Sequence, residues 1–132
     1  MTNIVTAAVI RLEAAGLTEV FAWRRWRDPQ PGAAVIVLSA SDDWSSTRTS
    51  AELPALRCQV FAAPTEGQAD AEAIALTVAG TVRQTLHRVA GGLEWWGDLR
   101  VFSSQHVGSS LAEVEGHPDW RVRGLVFEVH TG

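Results

Sequence analysis

The stretch Ala55-Leu-Arg-Cys-Gln-Val-Phe-Ala-Ala-Pro-Thr-Glu-Gly-Gln-Ala-Asp70, with the apolar-striped run after it, limits the folds open to this chain more than any other segment. Leu56, Cys58, Val60 and Ala62 alternate with Arg57, Gln59 and Phe61, the period of two that sends side chains to opposite faces of a strand. Pro64 stops the strand, and Thr65 with Gln68 three residues on resembles a capping box. Ala71, Ile74, Ala75, Val78, Val82, Leu86 and Val89 then share one stripe, predicting a helix that starts just after Pro64 and runs to about Val89, where Gly91-Gly92 ends it. Gly80 in mid-helix costs about 1 kcal/mol relative to alanine and suggests close packing against a neighbour.

The same reading places the other elements. Residues 3–15 predict a helix with Val5, Ala8, Val9 and Leu12 on one stripe, Gly16 at a left-handed C-cap and Leu17 as the hydrophobic contact after it. Glu19–Arg27 and Ala34–Ser39 predict strands on either side of a Pro29-Gln-Pro-Gly32 turn. Residues 40–54, polar and bounded by Pro54, predict a mobile loop. Leu93–Gly97 reads as a connection or a short strand. Leu99–Val107 and Trp120–His130 predict the last strands, joined by a polar loop around Gly116-His-Pro-Asp119.

The order α-β-β-β-α-β-β predicts an α+β fold: an antiparallel-dominated sheet of about five strands with two helices packed on one face, in a single domain spanning 1–132. Val35–Leu38 and Leu125–Phe127 are apolar on consecutive residues and so present apolar groups to both faces of the sheet. Two helices cover one such face. Either another subunit or the chain's own loops must cover the other.

At 132 residues and 46% hydrophobic content the chain can bury a core without a disulfide or a metal. Cys58 is the single cysteine, which excludes an internal disulfide. Ile4–Ile10 is short, lacks a basic flank and is followed by Arg11 and Glu13, so it does not read as a secretion signal. No apolar run approaches the roughly 18 residues of a membrane span. The net charge of −4 argues against a general nucleic-acid binder.

No catalytic set can be assembled from the residues. His87, His106, His117 and His130 show no metal-ligand spacing, and Cys58 has no activating partner nearby in sequence, so no metal or cofactor is expected. Ser103-Ser-Gln-His106 lacks the glycines of a nucleophile elbow. Asp42-Asp43 reads as solvated turn residues before Trp44. The densest functional cluster is Phe21-Ala-Trp-Arg-Arg-Trp-Arg27. Tryptophan beside arginine suits nucleic-acid stacking and equally a protein interface, where both are enriched. On a strand the cluster splits between two faces, which weakens a stacking platform. The favoured reading is an interface in which Trp23 and Trp26 are anchors. Arg24, Arg25 and Arg27 would pair with carboxylates of a neighbour such as Asp42, Asp43, Glu113 or Glu115, and Trp44 is a docking knob. A solvated edge strand guarded by arginines is the plain alternative.

Taken together, the layout resembles the tail terminator (tail completion) proteins of long-tailed bacteriophages. The resemblance rests on a short N-terminal helix, an early strand with a tryptophan (Val20-Phe-Ala-Trp23), a proline-containing turn and the apolar strand Val35–Leu38. It continues in a polar loop, the strand Leu56–Ala62 running into an alanine-rich helix, and a final strand opening with Arg121. Ser41-Asp-Asp-Trp44 stands where many relatives carry a glycine pair. The resemblance implies a structural, non-enzymatic virion protein of the tail or neck, assembled in the bacterial host cytoplasm. It implies a homo-oligomeric ring, usually hexameric, on the head-proximal end of the tail tube, where it stops tube polymerisation and meets the head-tail connector or head-closure protein. DNA passes through the lumen without specific binding, which suits an acidic chain. The alternatives are another phage neck or head-closure protein, a small α+β binding module with a Trp/Arg surface, and, with least support, an enzyme on a similar scaffold.

Overall fold

The computed structural model describes residues 4–22, 32–39, 55–87, 94–97 and 99–131. The elements run α1 (Ile4–Ala14), β1 (Val20–Ala22), β2 (Gly32–Ser39), β3 (Ala55–Ala63), α2 (Ala71–Leu86), β4 (Glu94–Trp96), β5 (Leu99–Val114) and β6 (His117–Thr131). The strands form one six-stranded sheet in the order β1-β2-β3-β6-β5-β4. β1 and β2 pair in parallel and every other neighbouring pair is antiparallel. The fold is therefore α+β as expected, with β4 as a sixth strand. A parallel pair cannot be joined by a tight hairpin, so β1 and β2 are not the two arms of one. Pro29–Pro31 of the expected turn lie outside the described residues.

Alternation along β3 works as the sequence predicts. Leu56, Cys58, Val60 and Ala62 are fully buried, while Arg57 is exposed and Gln59 and Phe61 are half-buried on the opposite face. Leu56, Cys58 and Val60 meet Val35 and Val37 of β2 and Leu125, Phe127 and Val129 of β6, while Ala62 packs with Ala71 and Ala75 of α2. Over this face lie both helices. α1 contributes Ala7, Ala8 and Leu12 and α2 contributes Ala79, Val82 and Leu86 to the same core, which Trp96 and Val101 complete. Each fully buried large side chain contributes roughly 1.5–3 kcal/mol from removal of apolar surface from water.

The helix ends follow local chemistry. Gly16, at φ 103°, closes α1 with the two bonds of a Schellman motif: its N–H donates to Glu13 O at 3.0 Å and that of Leu17 to Leu12 O at 3.3 Å. The start of α2 corrects the expected capping box. Thr65 and Gln68 do bond, Gln68 N–H donating to Thr65 Oγ1 at 3.0 Å, but they close a turn ahead of the helix. Asp70 is the cap, accepting from Glu72 N–H at 3.0 Å, because its carboxylate sits directly before the first helical residue. The helix ends at Leu86, earlier than expected, where His87 N–H bonds Arg83 O at 2.8 Å. Gly80 faces open space, which removes the packing explanation for it.

The end of the chain departs most from expectation. β5 and β6 run as one long hairpin closed by the two-residue turn Glu115-Gly116, with Gly116 at φ 82°. The polar segments expected to form a loop are strand, because ladder hydrogen bonds between the two arms satisfy the backbone without an apolar face. Pro118 is tolerated because β6 has lost its β3 neighbour there, the β3–β6 ladder ending at the Ala62–Arg121 pair.

Candidate functional site

Among the described residues, three surfaces remain after the core is accounted for. The first is the sheet face away from the helices. Strand pairing aligns Ala34, Phe61, Val122 and Ala112 in one row and Ile36, Gln59, Gly124 and Ser110 in the next. Leu38, Arg57, Val126 and Gly108 form the third row. Phe21 lies beside Ile36. Phe21, Ala34, Ile36, Leu38, Phe61, Val122 and Val126 are only half-buried, and no described helix or strand crosses them. The consecutive apolar residues of β2 and β6 thus serve both faces, as their sequence predicts.

Within that face lies an open cleft of about 380 Å³, lined by Arg57, Gln59, Gly108, Ser109, Ser110, Gly124 and Val126. Gly124 makes its floor. A Cβ there would stand 2.7 Å from Ser110 Oγ, so a larger residue would require that hydroxyl to rotate away. Among the described residues the side chains of Arg57, Gln59 and Ser110 have no hydrogen-bond or ion-pair partner. Ser109 Oγ accepts from Arg123 Nη2 at 3.2 Å.

The second surface is the outer edge of β5. β4 pairs only with Leu99–Val101, and no other described strand pairs along this edge. The described exposed large apolar side chains are Ile10, Leu76, Trp95 (54%), Phe102 (43%), Val107 (47%) and Leu111 (38%), and the last four lie on β4 or β5. Trp95 and its neighbour divide the work: Trp96 is fully buried and donates to Glu94 Oε1 at 2.9 Å, an atom that also meets Arg11 Nη2 of α1 at 3.2 Å.

The third is the hairpin tip. Glu113, Glu115 and Asp119 are exposed there. Arg121 donates to Pro118 O at 2.9 Å and Trp120 O at 2.7 Å, and only reaches Glu113 at 4.0 Å. His117 stacks on Trp120 with ring centroids 4.3 Å apart, which stiffens the tip.

Of the residues expected from sequence, Glu113 and Glu115 are thus placed together on the tip. Trp23, Arg24, Arg25, Trp26, Arg27, Asp42, Asp43 and Trp44 lie outside the described residues. Sequence reasoning missed Arg57 with Gly124 and Ser110, which come from different strands, and the apolar edge. The exposed Trp95 in Leu93-Glu-Trp-Trp-Gly97 was the available signal for the edge.

The titratable groups are arranged structurally. Burial pushes the Cys58 thiol up to about 12, leaving it protonated and inert. His106 is held below the usual histidine range, first by burial and then by the charge of Arg83, with His87 and Arg123 adding to it and a backbone hydrogen bond at Gly108 opposing. Its backbone N–H donates to His87 Nδ1 at 3.0 Å, tying β5 to the C-terminus of α2 beside a register shift. No group of three or more potential metal ligands gathers among the described residues, and none of their helices is long and apolar enough to cross a membrane.

No protein-family model and no curated protein matches the sequence. Among solved structures, the chain is similar in fold to a chain of the "Virion of native gene transfer agent (GTA) particle". The TM-score is 0.53 at 22% identity, covering 91% of this chain and 83% of that one.

Proposed function

We propose that this protein is a structural subunit of a virion, and that it works by assembly rather than by catalysis. The observation that carries the reading is the surplus of apolar surface among the described residues: a sheet face over which no described helix lies, and the β4–β5 side of the sheet, where Trp95, Phe102, Val107 and Leu111 are exposed and no further described strand pairs. Surface of this kind is buried by neighbouring subunits. The fold similarity to a virion chain supports the same reading.

More specifically, the subunit acts as a tail terminator. Copies close into a ring, usually of six, at the head-proximal end of the tail tube, end tube growth and offer the head connector its seat, while DNA passes through the lumen. Trp23, Arg24, Arg25, Trp26, Arg27, Asp42, Asp43 and Trp44 contribute contacts between copies, so Trp26→Ala and Arg25→Ala impair assembly and leave the monomer folded. Electron microscopy of the particle tests the reading. A ring of this protein between tube and head is the expected image. A single copy, or a location inside the capsid, would sink it, and a position on the head side of the neck would favour a head-closure protein instead.

A further inference from the structure

We propose that the cleft over Gly124 is the seat for the acidic β5–β6 hairpin tip of a second copy of this chain, so that each subunit joins the next tip-to-cleft. The inference rests on the ring reading above and names the contact that would build it.

The cleft is electrostatically incomplete. Among the described residues the Arg57 guanidinium at its rim has no partner, and Gln59 and Ser110 add side-chain donors that likewise have none. The face around them is apolar, with Ile36, Leu38, Phe61, Val122 and Val126 half-buried. Water excluded there by a partner would strengthen a charge pair. Such a donor set fits a carboxylate, which accepts bidentate bonds from arginine.

The tip supplies the complement. Glu113, Glu115 and Asp119 are exposed at its end, and Glu113 is 71% exposed at the side chain. Arg121, the nearby cation, spends its closest contacts on the carbonyls of Pro118 and Trp120, which leaves the carboxylates poorly neutralised. The tip is narrow, two-stranded and projects past the end of the β3–β6 ladder, so it can enter a cleft.

The two features cannot meet within one chain. Ser110 and Gly124 pair in the same hairpin whose end is the tip, four residues away along β5 or about 13 Å at about 3.3 Å per residue. A paired ladder does not fold back over that distance. The contact is therefore between copies and joins different patches on the two partners. Such heterologous contacts propagate in one direction and close into rings when the rotation allows.

A cysteine pair tests this. Ser110→Cys with Glu115→Cys places one thiol at the cleft and one at the tip. The two positions, one on β5 and one in the turn at its end, are five residues apart along an extended arm, roughly 16 Å at about 3.3 Å per residue, too far to bridge within a chain, and buried Cys58 stays out of the chemistry. The variant is expressed with the rest of the particle and oxidised with a copper catalyst. A disulfide ladder of trimers and larger species on a denaturing gel is expected, while each single variant stops at dimers. Monomers and dimers alone from the double variant would overturn the seat. In the otherwise native chain, Arg57→Glu and Glu115→Arg are each expected to weaken association by about tenfold or more, with the double reversal recovering much of it. Wild-type association in both singles would overturn the charge pairing. Rings seen by microscopy without a ladder would reject the seat and leave the ring. A ladder without closed rings would reject the ring and leave the seat.

Discussion

The two faces of the sheet are built from nearly the same stock of residues and end in different states. On one, Val35, Val37, Leu56, Cys58, Val60, Leu125, Phe127 and Val129 are all buried to within 3%. On the other, Ile36, Leu38, Phe61, Val122 and Val126 come from the same three strands and stay half-buried. The distinction lies in what sits above them. α1 and α2 both pack on the first face, and no described helix is left for the second. Apolar composition in a strand therefore marks surface that needs covering, while the supply of helices decides whether the chain does so itself.

The sharpest way to break this comparison is to attack the covered face. Phe127 is fully buried and packs edge-on to His106 with ring centroids 5.4 Å apart. Phe127→Ala is expected to cost about 3–5 kcal/mol, read as a loss of denaturation midpoint. A cost below about 1 kcal/mol would mean that the covered face is not the core.

Loosening the cover should cost less. Asp70→Ala removes the α2 cap and is expected to lower stability by about 1 kcal/mol, with hydrogen exchange quickening first at Glu72, whose N–H the carboxylate holds. The other end of α2 is pinned by His87 to the His106 backbone, and the His106 side chain makes stability depend on pH. The fold disfavours the charged form of His106, so its pKa when folded lies below the unfolded value of 6.5. The unfolded chain therefore binds the proton first, and stability present above pH 6.5 is lost as pH falls toward the folded value. His106→Gln should flatten the acid limb of a melting-temperature profile, and an unchanged acid limb would remove His106 from the account.

The smallest effect should come from the open face. Val126→Thr changes one methyl group to a hydroxyl beside the cleft and is expected to move the stability of the isolated subunit by less than about 0.5 kcal/mol. If it costs as much as a core substitution, the open face is covered within the monomer and the contrast collapses.

How much of this could be read beforehand follows the range of the signals. β3, the α2 stripe and the Gly16 cap rest on neighbours within a few residues, where periodicity and turn chemistry act directly. The Thr65–Gln68 bond was legible as a contact and misread as a cap, because a turn and a capping box use the same side chain in the same way. The outer hairpin was missed because residues 108–119 lack an apolar face: their strand state comes from pairing with each other, which composition does not register. The cleft was illegible for a further reason. Arg57 reads as an ordinary outward strand residue, and only sheet register brings it near Gly124 and Ser110. Glu113 and Glu115 were visible as acidic groups, but only the hairpin places them at one tip.

The two-residue turn at Glu115-Gly116 also bears on the order in which the chain folds. It lets β5 and β6 find each other by closing almost no loop, and hairpins of this kind form in about 1–10 μs. β3 meets β6 only by closing the chain across α2, β4 and β5, which has a larger entropic cost. We expect the hairpin to act as the template on which β3 and then β2 add, with pulsed hydrogen exchange showing β5–β6 amides protected before those of β2–β3. The last-made part of the subunit would then be the edge at β1, at the opposite side of the sheet from the arm that forms first.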